Sequence, residues 1–207
     1  MLSENAVFKK KKIYVVMTQT GTFLSRLLKF LSKDVYNHAS IALDDRLEEM
    51  YSFGRLNPYN PFVGGFVKES PHYGTFKRFS NTDAMIITLD VTEKQYDGVK
   101  TMLSKMYEER EKYRYNYKGL FAAFFGKRIE ELNRFYCSEF VKHVLVENGI
   151  VAKTFFREIT HPADFTEIPD AKTVYVGKLR TYASDVTEIL ESLTSTANSN
   201  AENKLAN

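Results

Sequence analysis

The only cysteine of this 207-residue chain, Cys137, stands at the predicted start of a helix, where a thiol could act as a nucleophile. Apolar residues follow it at three, four, seven and eight positions, which is the spacing of one helix face. The unpaired amides and the positive dipole end of a helix N-terminus stabilise both a thiolate and an oxyanion. Buried free cysteines are also common and inert, so in a second interpretation Cys137 only packs in the core.

A thiol nucleophile needs a base, and His38 is the best placed of the four histidines. It begins the segment HASIAL, a predicted strand that a turn at Asp44-Asp45 connects to a second strand. A two-residue turn puts His38, Glu49 and Tyr51 on one face, so that Glu49 orients the imidazole. A three-residue turn nominates Glu48 instead, and a purely structural role for His38 is the alternative.

The rest of the pattern predicts the elements that position these residues. Further strands are predicted at 13–21, 83–90 and 173–179. Helices are predicted at 22–34 and after a capping box formed by Thr92 and Gln95, and Gly149 is expected to end the Cys137 helix. Three prolines and four glycines predict a long loop at 54–74. Strands and helices without regular βαβ alternation favour the α+β class.

Composition indicates one folded domain, with 43% hydrophobic and 27% charged residues. We expect it at 13–183, after a basic flexible lead-in at 1–12 and before a helical fray and disordered polar tail at 184–207. A lone cysteine and no apolar run of the ~18 residues that a membrane span requires favour a cytoplasmic location. The net charge of +3 does not predict nucleic-acid binding, and no paired ligand spacing predicts a metal or other cofactor.

Three segments, NHASIAL, EMYSFGR and FYCSEFV, in this order resemble the circularly permuted NlpC-like, papain-fold cysteine hydrolases of the YiiX-like group. In papain the nucleophilic cysteine precedes the histidine, whereas in the permuted group the histidine strand comes first. The resemblance covers about Ile13 to Tyr182, including the late segment HPADFTEIPDAKTVYVGKL. It implies a papain-like fold in which an antiparallel sheet packs against a helix that carries the cysteine.

The resemblance makes Cys137 the nucleophile, His38 the general base and acid, and Glu49 the residue that holds the imidazole tautomer. The backbone amide of Cys137 would be one oxyanion donor. A tyrosine upstream of the cysteine supplies another in non-permuted relatives, and Tyr115 in YNYKGL loosely matches that position. Tyr51 and Ser138 are further candidates for oxyanion or substrate binding.

We therefore expect a cysteine hydrolase that cleaves an amide bond, peptide or N-acyl, through an acyl-enzyme. The substrate would be a small molecule, a peptide or an acyl-lipid, and the amphipathic segment 22–34 could make weak contact with a membrane surface. The same site would also serve an acyltransferase or a lipid esterase. A non-catalytic module that binds a ligand on the papain-like scaffold is the alternative from a different class.

Overall fold

The structure is a computed structural model that describes residues 10–20, 35–123 and 125–189. The strands are Lys11–Gln19 (β1), His38–Ala42 (β2), Met50–Asn57 (β3), Asn60–Glu69 (β4), Asp83–Val91 (β5), Arg114–Tyr115 (β6), Arg134–Phe135 (β7) and Lys172–Lys178 (β8). The helices are Gly74–Arg78 (α1), Glu93–Glu108 (α2), Tyr117–Ala123 (α3), Cys137–Glu147 (α4) and 179–189 (α5). Short 3₁₀ turns occur at Arg110–Lys112, Lys153–Phe155 and Pro162–Glu167.

Six strands form one sheet in the order β4-β3-β2-β1-β5-β8, and all neighbouring pairs are antiparallel. The two short strands β6 and β7 form a separate parallel pair. Sheet and helices are mixed without βαβ crossovers in the six-stranded sheet, so the predicted α+β class agrees with the observed architecture.

Helices cover both faces of the sheet. One face carries the larger core, in which α2 and α4 bury their apolar stripes against the central strands. The other face is covered by Phe76 of α1 and by Leu179 at the start of α5. This second face is smaller, and the side chains of His38 and Ser40 alternate onto it from β2.

Three phenylalanines fix the position of α4 on the sheet. The rings of Phe53, Phe66 and Phe140 lie 5.3 to 5.5 Å apart by centroid, and all three are almost completely buried. Phe140 is one turn into α4, whereas the other two come from β3 and β4. Aromatic packing of this kind therefore anchors the first turn of α4, and with it Cys137, next to the sheet.

Several sequence predictions are confirmed. Strands stand at the three predicted places, α4 begins at Cys137, and Gly149 follows its end with φ of 62°. The capping box of Thr92 and Gln95 is present at the start of α2. In the described part of the chain, none of the helices has the length and apolar character of a membrane span.

The predicted loop at 54–74 is wrong, because most of it forms a hairpin. β3 continues to Asn57, and Asn57 pairs with Asn60 across the turn Pro58-Tyr59. Proline and glycines fit into β4 because it is an edge strand of the sheet described here. The predicted boundary at residue 183 falls inside α5, and the predicted helix at 22–34 lies outside the described residues.

Candidate active site

The thiol of Cys137 lies at the first residue of α4, where the helix meets the beginning of β2. Tyr136 is the N-cap in extended conformation, and Cys137 is 4% exposed. Its Sγ donates to the backbone oxygen of Asn37 at 3.9 Å. Burial raises the pKa of the thiol, whereas hydrogen bonding to the His38 side chain and to the backbone of Ala39 and Ser138 lowers it. The thiol therefore points toward the strand that carries the histidine.

His38 connects this thiol to a carboxylate that comes from β4. Its Nε2 lies 3.2 Å from both Oε1 and Oε2 of Glu69. The Ser40 hydroxyl donates to Glu69 Oε2 at 2.6 Å. Since Nε2 faces the carboxylate, Nδ1 is the ring nitrogen that remains for the thiol.

The charges of these three groups stabilise one another. Burial lowers the pKa of His38, but the Glu69 carboxylate and the hydrogen bond to Cys137 outweigh it and raise the pKa to about 10. Burial raises the pKa of the Cys137 thiol, but hydrogen bonding and the charge of His38 bring it below its ordinary value. Burial also raises the pKa of Glu69, yet His38 holds it below its usual range. All three shifts favour the ionised forms: a thiolate, an imidazolium and a carboxylate.

The predicted register between the strands of His38 and Glu49 is wrong by three residues. Ile41 is opposite Tyr51, and the Leu43 N–H donates to the oxygen of Glu49 at 3.1 Å. The cause is Asp44, whose carboxylate accepts hydrogen bonds from the backbone of Glu48 and Glu49 at 3.0 and 2.7 Å and closes a larger loop.

Neither Glu49 nor Glu48 therefore lies beside His38. Each carboxylate forms an ion pair elsewhere: Glu49 with Lys68 at 3.9 Å, and Glu48 with Arg46 at 3.8 Å. The carboxylate that faces the imidazole belongs to Glu69, which the sequence analysis does not nominate because it predicts a loop over this segment. The signal was present in the sequence: Asn57-Pro58-Tyr59-Asn60 has the asparagine and proline of a tight turn between two strand patterns.

Tyr51 also lies away from the imidazole. It is opposite Ile41, and successive residues of β2 point to opposite faces, so Tyr51 belongs to the larger core and not to the face of His38. Its ring stacks on Phe66 at 5.9 Å.

Tyr115 is brought to the thiol by the pairing of β6 with β7. Tyr115 is opposite Phe135 in this parallel pair, and the chain continues from Phe135 directly into Tyr136 and Cys137. The Tyr115 side chain makes a hydrogen bond with Cys137, and burial followed by the charge of Cys137 raises the pKa of Tyr115 well above its ordinary value. Tyr115 therefore keeps its proton beside the Cys137 thiol.

Ser138 contributes only through its backbone. Its hydroxyl donates to the backbone oxygen of Thr160 at 2.6 Å, and the side chain is buried. The hydroxyl of Ser138, which the sequence proposes for oxyanion or substrate binding, is therefore directed at Thr160.

A cleft of about 180 Å³ is lined by the imidazole of His38 and by Asn37, whose backbone oxygen contacts the thiol. Its polar side chains include His38, Glu69, Tyr115 and Arg55. Its apolar lining consists of Phe53, Pro61, Phe62, Phe76 and Leu120. The Tyr117 hydroxyl, which donates to the Pro61 oxygen at 3.1 Å, ties the hairpin of β3 and β4 to α3 over this cleft.

The Tyr115→Phe variant tests the donor. We expect kcat on an activated ester to fall on the order of 100-fold, since one oxyanion donor is lost. KM should change little, because the bond strengthens only when charge develops on the attacked oxygen. Tyr117→Phe, which removes a hydroxyl from the neighbouring ring 4.7 Å away by centroid, is the matched control. Equal losses in both variants would contradict the assignment to Tyr115.

Among the described residues, no three His, Cys, Asp or Glu side chains are grouped closely enough to hold a metal ion. The sequence matches no protein-family model, and no curated protein matches it significantly. The geometry of Cys137, His38 and Glu69 is therefore the basis for a function.

Proposed function

We propose that this protein is a cysteine hydrolase that cleaves an amide bond, peptide or N-acyl, through Cys137, His38 and Glu69. The observation that carries the proposal is the grouping of three residues: Glu69 lies 3.2 Å from His38 Nε2, both line one cleft, and Cys137 begins α4 next to them. Burial raises the pKa of the thiol, but hydrogen bonding to His38 and the charge of His38 bring it below its ordinary value. A structural cysteine needs none of these partners, whereas a nucleophile needs all of them.

Each residue has one task in this reaction. The Cys137 thiolate attacks the carbonyl carbon, and the carbonyl electron pair moves to the oxygen. When the tetrahedral intermediate collapses, the bond to nitrogen breaks and His38 gives its proton to the leaving amine. The thioester on Cys137 is then attacked by water, whose proton His38 accepts, and the acid is released while the thiolate returns.

Glu69 acts on the imidazole and not on the substrate. Its carboxylate accepts from Nε2 and so directs Nδ1 toward the thiol and stabilises the imidazolium. Ser40 donates to the same carboxylate and holds its orientation.

The oxyanion would be held by donors on both sides of the thiol. The backbone N–H of Cys137 is one of the unpaired amides at the start of α4. Burial first, and then the charge of Cys137, raises the pKa of the Tyr115 hydroxyl well above its ordinary value, so this hydroxyl keeps its proton and can donate it. Together they form the pair of donors that acyl transfer requires.

The proposed family is the circularly permuted papain-like group of NlpC-like cysteine hydrolases. The architecture supports it: a helix beginning at the cysteine packs on an antiparallel sheet whose β2 begins at the histidine, and the histidine precedes the cysteine in the chain. In this chain the third residue comes from β4, the strand that follows the β2–β3 pair.

An acyl-enzyme experiment tests the proposal. On mixing with p-nitrophenyl acetate, the protein should release a burst of nitrophenol equal to the protein concentration and gain the mass of one acetyl group on Cys137. Cys137→Ala should show neither. If the wild-type protein also gains no acetyl group on Cys137, the site does not perform acyl transfer and a binding module is the better interpretation.

A further inference from the structure

Three buried glycines lie inside the strands of the β3–β4 hairpin, where a glycine normally weakens a strand because it has no side chain to pack. They are Gly54 in β3 and Gly64 and Gly65 in β4. None of them has a positive φ, so the backbone at these positions would accept other residues. The property that glycine supplies here is therefore space.

Gly54 leaves room for the carboxylate of Glu69. A Cβ at residue 54 would lie 3.1 Å from Glu69 Oε1 and 3.2 Å from Ser52 Oγ. Oε1 is one of the two oxygens that lie 3.2 Å from His38 Nε2. Glu69 belongs to β4 and His38 to β2, so the carboxylate reaches the imidazole across β3. A methyl group at residue 54 would press on the oxygen that faces the imidazole.

Gly64 leaves room for Tyr115. A Cβ at residue 64 would lie 2.9 Å from Tyr115 Cβ and 2.8 Å from the Tyr117 hydroxyl. Both distances are shorter than a van der Waals contact, so the neighbouring atoms would have to move. The Tyr117 hydroxyl is the end of a flexible side chain, whereas Tyr115 Cβ is bonded to the backbone of β6. The close approach of β6 to β4, and with it the position of Tyr115, therefore depends on the missing side chain.

We propose that Gly54 and Gly64 are positioning residues, each of which gives the space in which one side chain of the proposed site, Glu69 or Tyr115, is held. The inference rests on the proposed hydrolase function and adds two residues that act only through others. Neither glycine needs to touch the substrate for this role.

Gly65 provides a matched control, because it is equally crowded by different groups. A Cβ there would lie 3.1 Å from the backbone oxygen of Tyr113, and the next nearest atoms belong to the Leu56 side chain at 3.5 and 3.6 Å. Gly65 is also the residue that pairs with Gly54 across the hairpin. Gly65→Ala therefore adds the same methyl group at the same level of the hairpin, next to neither Glu69 nor Tyr115.

The titration of the His38 ring tests Gly54 without any substrate. It is followed by NMR on protein with isotope-labelled histidine, and His38→Ala identifies the signal. In wild type the ring should titrate near pH 10, because the charge of Glu69 outweighs burial. In Gly54→Ala we expect titration about one pH unit lower, since a displaced carboxylate stabilises the imidazolium less. Gly65→Ala should titrate as wild type does.

A double-mutant cycle on ester hydrolysis tests Gly64. With p-nitrophenyl acetate, Gly64→Ala should lose about tenfold in kcat, because the oxyanion donor is displaced but not removed. In the background of Tyr115→Phe the same substitution should cause no further loss, since no donor is left to displace. A glycine that only supports the fold would cost the same factor in both backgrounds. Gly65→Ala should keep the wild-type kcat.

The outcomes separate this inference from the proposed function. An unchanged His38 titration in Gly54→Ala would overturn the role of Gly54, and an undiminished loss on adding Gly64→Ala to Tyr115→Phe would overturn that of Gly64. Wild-type protein that gains no acetyl group would instead reject the hydrolase, and the role of Gly64 with it, while the titration still decides on Gly54.

Circular dichroism and thermal unfolding check that each variant folds. If Gly64→Ala does not fold, the cycle is run in Tyr117→Phe, which removes the hydroxyl 2.8 Å from the new methyl group and keeps its contact with Tyr115.

Discussion

Replacement of His38 by alanine is expected to lower the rate at which iodoacetamide alkylates Cys137 at pH 6 by about 100-fold. In the wild-type protein the imidazolium keeps the thiol ionised below its ordinary pKa. Without it, burial raises the thiol pKa and only a small fraction of Cys137 is thiolate at pH 6. Hydrolysis should fall further, on the order of 10⁴-fold, because the proton donor for the leaving group is lost as well.

The pH dependence of alkylation should differ between the wild-type protein and His38→Ala. Alkylation of wild type should reach its plateau below the ordinary thiol range, whereas His38→Ala should need pH 8.5 or higher, as an ordinary thiol does. Hydrolysis by wild type should also decline near pH 10, where His38 loses its proton. The exposed residue His72 provides the control, and His72→Ala should behave as wild type. A wild-type thiol that labels only near pH 8.5 would contradict the ion pair.

Glu69→Gln is expected to reduce kcat on the order of 10³-fold, while Glu49→Gln leaves it within a factor of two. Glutamine keeps the size of the Glu69 side chain but removes the charge that stabilises the imidazolium. The pKa of His38 should then fall, since burial is no longer outweighed. The basic limb of the pH profile should move from near pH 10 to lower pH in Glu69→Gln only.

The pair of glutamate variants decides which carboxylate supports the imidazole, Glu69 of β4 or Glu49 just before β3. Both substitutions remove one negative charge, so a general charge effect would act on both. Unchanged activity in Glu69→Gln would exclude it as the partner of the imidazole, even though it lies 3.2 Å from Nε2. Thermal unfolding of both variants separates a loss of mechanism from a loss of fold.

The sequence was sufficient for elements with a strong periodic pattern. Helix α4 has its apolar residues on one face and begins at Cys137, as predicted. β1 and β5 are β-rich and were also placed correctly, within two residues. These local patterns do not depend on which element packs beside them.

The pairing register of the strands could not be predicted from the local sequence pattern. The loop after β2 depends on the side chain of Asp44, which satisfies two backbone amides and lengthens the turn. A register change of three residues gives every residue of β2 a different partner on β3. Because three is an odd number, it also moves Glu49 to the opposite face of the sheet. Glu69 was found only through tertiary pairing of β3 with β4, in a segment where glycines and prolines hide the strand pattern.

The distance along the chain between the two reacting residues has a consequence for biosynthesis. His38 and Cys137 meet only after β2 and α4, about a hundred residues apart, have packed together. Contacts of such high sequence separation form late in folding, because the loop between them must first be closed. A nascent or partly folded chain therefore carries an ordinary, protonated thiol. The activated thiol arises only with the folded domain, so the emerging polypeptide does not expose a thiolate to electrophiles around it.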